Sequence, residues 1–268
     1  MIIIGEKING SIPRMAKAIA ERDAEWVKEI AKKEADAGAD FIDVCASLNE
    51  GELEAMKWLI DCVQEVTDVP IAVDSPSVHS CVEAMKFCNK PGLFNSVSGE
   101  GDKLDVGFKA ISGTKWEVVA LLCDDTGIPK TAADRLKVFD KVMAKAKEYD
   151  IAPNRIHIDP LIEMLCTADD GEGISMVIEV MTKIKEQYPT IHITGAVSNI
   201  SFNLPKRKLV NQAFTVLAMN AGLDSAMFDP LNTDLQGMIF ATEAMLGLDD
   251  LCCEYMSAYR EGRFGEVK

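Results

Sequence analysis

The sequence predicts an α/β fold: a (β/α)8 TIM barrel built as a single domain over residues 1–268, with a short C-terminal helix. Three observations predict it. Short apolar runs rich in β-branched residues alternate with longer segments of helical period, the pattern of parallel βα units. Eight such runs are present, and 268 residues suit one complete barrel of roughly 250 residues.

The first strand is MIIIG at 1–5, whose apolar run is too short for an export signal and lacks its cleavage pattern. An apolar stripe at spacings of three and four predicts a helix over 24–37, closed by Gly38, where glycine enters left-handed backbone without steric cost. FIDVC at 41–45 and IAVD at 71–74 follow, separated by a helix over 52–66. A helix over 78–88 leads to GLFNS at 92–96, and the next helix, over 102–111, has the weakest pattern of the series. EVVALLC at 117–123, RIHID at 155–159, IHITGA at 191–196 and SAMFD at 225–229 complete the strands. Helices over 132–149, 174–187, 209–221 and 234–246 follow them, the third closed by Gly222. The remainder, from Gly247 on, reads as a terminal helix and a tail of mixed charge. It is placed to close the barrel bottom or to pack on a second subunit.

Composition narrows the function. A formal charge of −15, with no basic stripe carrying interleaved aromatics, argues against nucleic acid. No stretch approaches the ~20 apolar residues of a membrane span, so a cytoplasmic protein is expected. Eight cysteines without a paired framework then read as reduced thiols. Neither Cys252–Cys253 nor the three histidines show metal-ligand spacing, and no tightly bound metal is expected. No GxSxG elbow is present, and the thiols nearest the strand ends, Cys45 and Cys123, have no neighbouring base. His79 and His192 read as structural, while His157, two residues before Asp159 on one strand face, is expected to support it.

In a barrel of this kind the functional face lies where strands end. Those positions read Glu6, Asp43, Asp74, Asn95, Asp124, Asp159, Asn199 and Asp229. Turn and cap roles explain perhaps half of such a set. Carboxylates gathered at one mouth repel and are costly to bury without donors, so the ligand should be rich in donors. The loops AVSNIS and FDPLNTD lack a phosphate-binding pattern, whereas an aminopyrimidone, with its ring N–H and exocyclic amine, fits.

Six motifs in order carry a family resemblance: GEKING, AVDS, FNSVS, TGIPKTAADR, HIDPL and VSNISFNLPKR, followed by NQAFTVLAMNAGLDSAMFDP. Over essentially its whole length the chain resembles the methyltetrahydrofolate:corrinoid methyltransferases of the pterin-binding barrel superfamily. The resemblance implies that Asp74, Asn95 and Asp159 grip the pterin edge, that Gly195 and Ser198 shape the loop beside it, and that Asn199 approaches N5. Asp43 and Asp124 join the pterin-binding set. The implied reaction moves the N5 methyl group between tetrahydrofolate and a corrinoid cobalt. In one direction cobalt(I) attacks the methyl carbon; in the other, methylcobalt(III) gives it back. A hydrogen bond from Asn199 to N5, stronger in the transition state, would lower the barrier by about 3 kcal/mol. Methyltetrahydrofolate and tetrahydrofolate are then substrates, and the corrinoid (cobalamin) arrives on a partner protein docking over the mouth. Lys206 and Arg207 stand at the rim as docking contacts or as a solvated basic face, and a homodimer is implied. Two residues depart from the family pattern: Cys45 and Asp124 each stand where an asparagine is expected. Asp124 is therefore open to a role in proton supply to N5 or a cap role. The alternatives are a dihydropteroate synthase-like pterin enzyme, a non-catalytic pterin-binding corrinoid partner, and a metal-dependent aldolase or isomerase.

Overall fold

A computed structural model describes residues 1–48, 50–167 and 173–265. Its strands are β1 (Ile2–Asn9), β2 (Phe41–Cys45), β3 (Ile71–Asp74), β4 (Leu93–Gly99), β5 (Glu117–Asp124), β6 (Ile156–Asp159), β7 (His192–Ile193) and β8 (Ser225–Phe228). All pair in parallel in the order β7-β6-β5-β4-β3-β2-β1-β8. The ring closes between β7 and β8 through Met227 N–H to the Gly195 carbonyl at 3.0 Å and Asp224 N–H to the Ile193 carbonyl at 3.3 Å. The eight-stranded barrel read from the sequence is the fold, with helices surrounding it.

These helices are α1 (Pro13–Glu21), α2 (Ala24–Asp36), α3 (Glu52–Gln64), α4 (Val78–Ala84), α5 (Lys103–Ile111) and α6 (Ala132–Glu148), then α7 (Gly173–Gln187), α8 (Arg207–Asn220), α9 (Thr233–Met245) and α10 (Cys253–Arg260). None is long and apolar enough to cross a membrane among the described residues. α1 has no counterpart in the sequence reading, although Pro13 at its first turn and buried Met15, Ala18 and Ile19 give it a start signal and an apolar face. The tail's last residues, 266–268, lie outside the described residues.

Side-chain alternation explains how the interior is layered. Ile4, Phe41, Ala72, Leu93 and Val119 pack together inside the barrel, apart from the main core between sheet and helices. Two residues further along their strands stand Glu6, Asp43, Asp74, Asn95 and Leu121, one step nearer the mouth on the same face. The period that builds the apolar plug thus also builds the polar layer above it.

Level with the plug, beside Val119 and Phe41, His157 shares hydrogen bonds with Glu117 Oε2 at 2.7 Å and Ser225 Oγ at 3.0 Å. Its ring stacks on His192 with centroids 4.7 Å apart, and His192 meets Asp224 at 3.2 Å. Asp224 also takes Lys185 Nζ at 2.6 Å. The expected support of Asp159 by His157 is therefore corrected: the imidazole serves this closing network at the strand starts. Burial holds its pKa below the ordinary value, so it sits there neutral.

Candidate active site

The polar layer is assembled by strand irregularities as well as by alternation. β4 takes one extra residue between Asn95 and Val97 against β5. Asn95 Nδ2 donates to Asp43 Oδ1 at 3.0 Å across the barrel mouth. Asp43 is fully buried, and its Oδ2 has no donor among the described residues. Burial, then the neighbouring Asp74, push the Asp43 carboxyl well above its usual range. Burial also raises Asp74 to about 6, opposed by hydrogen bonds with Cys45 and Asp43. The pair keeps a proton to higher pH than either carboxyl alone would.

Cys45 is buried, and its thiol, 3.2 Å from Ser47 Oγ, is pushed up to about 12 by burial and by Asp74. It is no nucleophile at neutral pH. Cys123 shifts upward too, for the same first reason.

Asp159 closes the opposite side. Its Oδ1 accepts from Leu161 N–H at 2.7 Å, and burial raises its carboxyl to about 6. Leu161 has a φ of 65°, a conformation that costs a branched residue energy and must be held from outside. Arg135 holds it. Fully buried on α6, this guanidinium donates to the carbonyls of Pro160 and Leu161, the latter at 2.7 Å, and to Glu163 Oε2 at 2.6 Å. Sequence reasoning quoted Arg135 only as the last letter of a motif; its anchoring of the Asp159 loop is a structural finding.

Gly195 lies close against the Asp159 turn. A Cβ there would lie 2.5 Å from Ile162 Cδ1 and 3.6 Å from Asp159 Oδ1. Gly195→Ala is therefore expected to push the 160–163 turn outward and weaken pterin binding about tenfold, within the usual 1–3 kcal/mol of overpacking. Calorimetric titration with tetrahydrofolate checks this; unchanged affinity would show that the turn yields freely.

Asn199 stands in a 3-10 turn, Val197–Ser201, beyond β7. The sequence reading carried that strand through 196, but it ends at Ile193, and only the Ala196–Met227 bridge continues it. The turn is held by Asn199 N–H to the Ala196 carbonyl at 3.1 Å and Phe202 N–H to the Asn199 carbonyl at 3.2 Å. Arg207 secures it further, donating to the Ser198 carbonyl at 2.8 Å and Ser201 Oγ at 3.0 Å while lying 4.5 Å over the Phe202 ring. Among the described residues the Asn199 carboxamide has no protein partner, so the backbone fixes it and its hydrogen-bonding groups are left for a ligand.

Asp124 behaves differently. Its Oδ1 accepts from Thr126 N–H at 2.9 Å and Thr126 Oγ1 at 2.7 Å, bonds that lower its pKa and tie the carboxylate into its own turn. This geometry favours the turn role over proton supply.

β1 contributes what sequence reasoning placed at a strand end but left out of the site. Register against β2 jumps between Gly5 and Ile8, a bulge that sends consecutive Glu6 and Lys7 to the mouth side. Lys7 Nζ meets Asp229 Oδ2 at 2.9 Å. Behind the bulge, Glu34 of α2 is fully buried and accepts from Lys7 N–H at 3.0 Å. A Cβ on Gly5 would lie 2.6 Å from Glu34 Oε1, so glycine there admits the carboxyl. Burial first, with like-charged neighbours, raises Glu6 to about 7 and Glu34 to about 8.

The strand ends thus gather acceptors, two of them, Asp43 and Asp74, coupled in their protonation, and the Asn199 turn follows β7. Among the described residues no three His, Cys, Asp or Glu side chains converge as a metal-binding group.

This fold and mouth define a class, and the chain belongs to it: residues 12–228 match the family of pterin-binding enzymes. Over its full length the chain is 46% identical to the methylcorrinoid:tetrahydrofolate methyltransferase of Eubacterium limosum, covering 99% of that protein. It is 26% identical over 240 residues to the methionine synthase of Mycobacterium leprae, spanning 20% of that longer chain. The motif resemblance to the methyltransferase branch is upheld. Among solved structures, the dihydropteroate synthases of Clostridium difficile (TM-score 0.67, 19% identity, 91% of this chain and 96% of that one) and Coxiella burnetii (0.62, 18%, 91% and 93%) share the fold.

Proposed function

We propose that the chain is a methyltransferase moving the N5 methyl group between tetrahydrofolate and the cobalt of a corrinoid, free or carried by a separate protein. The observation that carries this reading is the layer of buried acceptors Asp43, Asp74 and Asp159 at the strand ends, with the Asn199 turn following the end of β7. A pterin's exocyclic amine and ring N–H groups supply donors that buried carboxyls need, including the orphaned Asp43 Oδ2. Asp74, Asn95 and Asp159 orient the ring, Gly195 and Ser198 keep the adjoining wall close, and Asn199 reaches N5. The corrinoid cobalt, as co-substrate, supplies or receives the methyl group. The Asn199 carboxamide hydrogen-bonds N5 as charge changes there, which makes the amine a better leaving group in one direction and steadies it as acceptor in the other.

Partner docking is supported by exposed apolar side chains in five βα loops around the mouth: Leu48, Ile128, Leu165, Phe202 and Leu231. The reading extends to a cytoplasmic homodimer of single-domain chains. Met245, Leu248 and Leu251, 85%, 73% and 87% exposed near the C-terminus, support a covered face there.

Anoxic mixing with methylcobalamin and tetrahydrofolate tests the reading. Protein-dependent loss of methylcobalamin with formation of methyltetrahydrofolate is the expected result. Tetrahydrofolate binding without transfer, even with methylated corrinoid proteins, would leave a binding subunit; no pterin binding would overturn the reading.

A further inference from the structure

Transfer of a methyl group to the N5–H of tetrahydrofolate releases a proton, and Asn199, a carboxamide, cannot take it. We propose that Glu6 receives this proton and, in the reverse direction, returns it, an assignment that rests on the methyl-transfer reading above. In the forward step the cobalt–carbon bond breaks with its electron pair left on cobalt, and the N5 lone pair forms the N–CH3 bond. The N5–H bond then breaks with its pair left on nitrogen, and the proton passes through water in the mouth to the Glu6 carboxylate. No oxidant, reductant or further co-reactant is needed.

Position supports the assignment. Glu6 lies on the interior face two residues above Ile4 of the plug, beside the β1 bulge. Arg207, close enough to act on its charge, is the side chain that fastens the Asn199 turn through the Ser198 carbonyl and Ser201 Oγ. β1 pairs with β8, and β8 is bridged to Ala196 just ahead of the Asn199 turn, so Glu6 stands on the side of the mouth that adjoins that turn.

The surroundings separate Glu6 from its acidic neighbours. The charged and titratable groups facing it are Lys7 on its own strand, Asp229 beyond β8, Arg207 of α8, Glu34 of α2 and Asp43 of β2. Lys7 pairs with Asp229, whose other oxygen accepts from Leu231 N–H at 3.0 Å, so that carboxylate is committed. Glu34 and Asp43 are fully buried, each with one oxygen lacking any partner among the described residues. Glu34, behind Glu6, is best kept protonated, because ionising it would place uncompensated charge in the core, whereas the free oxygen of Asp43 is the one the pterin meets. Glu6 is half-buried where Glu34 and Asp43 are fully buried, so it is the one that water can reach. Its proton exchanges near neutrality, with burial and Asp229 raising it to about 7, where an acid–base group works best in both directions.

Two measurements on the full-length protein test the assignment, with Glu6→Gln as the variant and Glu6→Asp as the conservative control. In wild type, methylation of tetrahydrofolate by methylcobalamin should speed up as pH rises through about 7, while the reverse reaction slows over the same interval. Glu6→Gln should lose both inflections and run roughly tenfold slower or more, with tetrahydrofolate affinity retained; Glu6→Asp should restore an inflection. Independently of turnover, infrared titration of the ligand-free protein should show a protonated-carboxyl band that fades near pH 7 in wild type and is missing in Glu6→Gln. Wild-type transfer with unchanged inflections in Glu6→Gln, or an infrared band that persists there, overturns the assignment. Absence of transfer in wild type instead overturns the methyltransferase reading, and the infrared result then still decides whether Glu6 exchanges its proton at neutrality.

Discussion

In Asn199→Ala, methyl transfer is expected to run about 100-fold slower than in wild type, the loss typical of removing one preorganised donor from a developing charge. The variant is a clean one because the turn does not depend on the side chain. Backbone bonds between Asn199 and both Ala196 and Phe202 remain, as does the Arg207 clamp on Ser198 and Ser201. The Asp74, Asn95 and Asp159 edge is untouched, so tetrahydrofolate affinity should change little. Single-turnover transfer measured beside calorimetric binding separates the two effects. A loss appearing wholly in affinity, with the bound-state rate unchanged, would make the carboxamide a binding group only.

Stability of the ligand-free protein is expected to fall as pH rises from about 5 to 8, the reverse of what paired surface carboxylates produce. Glu34 drives this. Its carboxyl has an ordinary value of 4.5 in the open chain and about 8 in the fold. Between those values the folded state keeps a proton that the unfolded state has lost, so stability drains away with rising pH and the loss is complete above 8. At about 1.4 kcal/mol for each pH unit, Glu34 alone accounts for roughly 4 kcal/mol. Glu6, Asp74 and Asp159, also raised, add in the same direction. His157, its pKa lowered by burial, opposes them by losing stability as pH falls below 6.5. Glu34→Gln keeps an oxygen for Lys7 N–H and removes the titration. It should flatten the slope and raise the melting temperature at pH 8 relative to wild type. Denaturation across this interval checks it; a wild-type stability that climbs from pH 5 to 8 would show that Glu34 ionises freely in the fold.

The barrel and the row of Asp43, Asp74, Asn95 and Asp159 were legible because both follow from one short-range rule. Alternation with period two sets Phe41 under Asp43, Ala72 under Asp74, Leu93 under Asn95 and His157 under Asp159, and turn residues mark where each strand stops. What escaped depends on departures from that rule. The bulge in β1 carries no compositional mark beyond Gly5, so the strand reads as ending there, although it runs to Asn9. Glu34, within KKEADAG, has the local look of a solvated helix face; only the gap left by Gly5 makes it internal. Arg135 likewise reads as a surface charge until the carbonyls of a left-handed turn are brought against it. Asn199 was read as a strand-end residue, but the short β7 hands it to a turn instead.

That short β7 divides the mouth mechanically. β3 through β6 form an unbroken run of paired strands carrying Asp74, Asn95 and Asp159, whereas β7 and β8 are joined by little more than two backbone bonds. Local opening costs least where hydrogen bonds are fewest, so thermal breathing concentrates at this seam. Asn199 rides on one lip of it, and Asp229 and Glu6 lie on and beside the other. The half that carries Asp74, Asn95 and Asp159 can therefore stay rigid while the half that carries the Asn199 turn widens and narrows. Arg207, bonded to the Asn199 turn and within reach of the Glu6 charge, is the tie that limits the excursion.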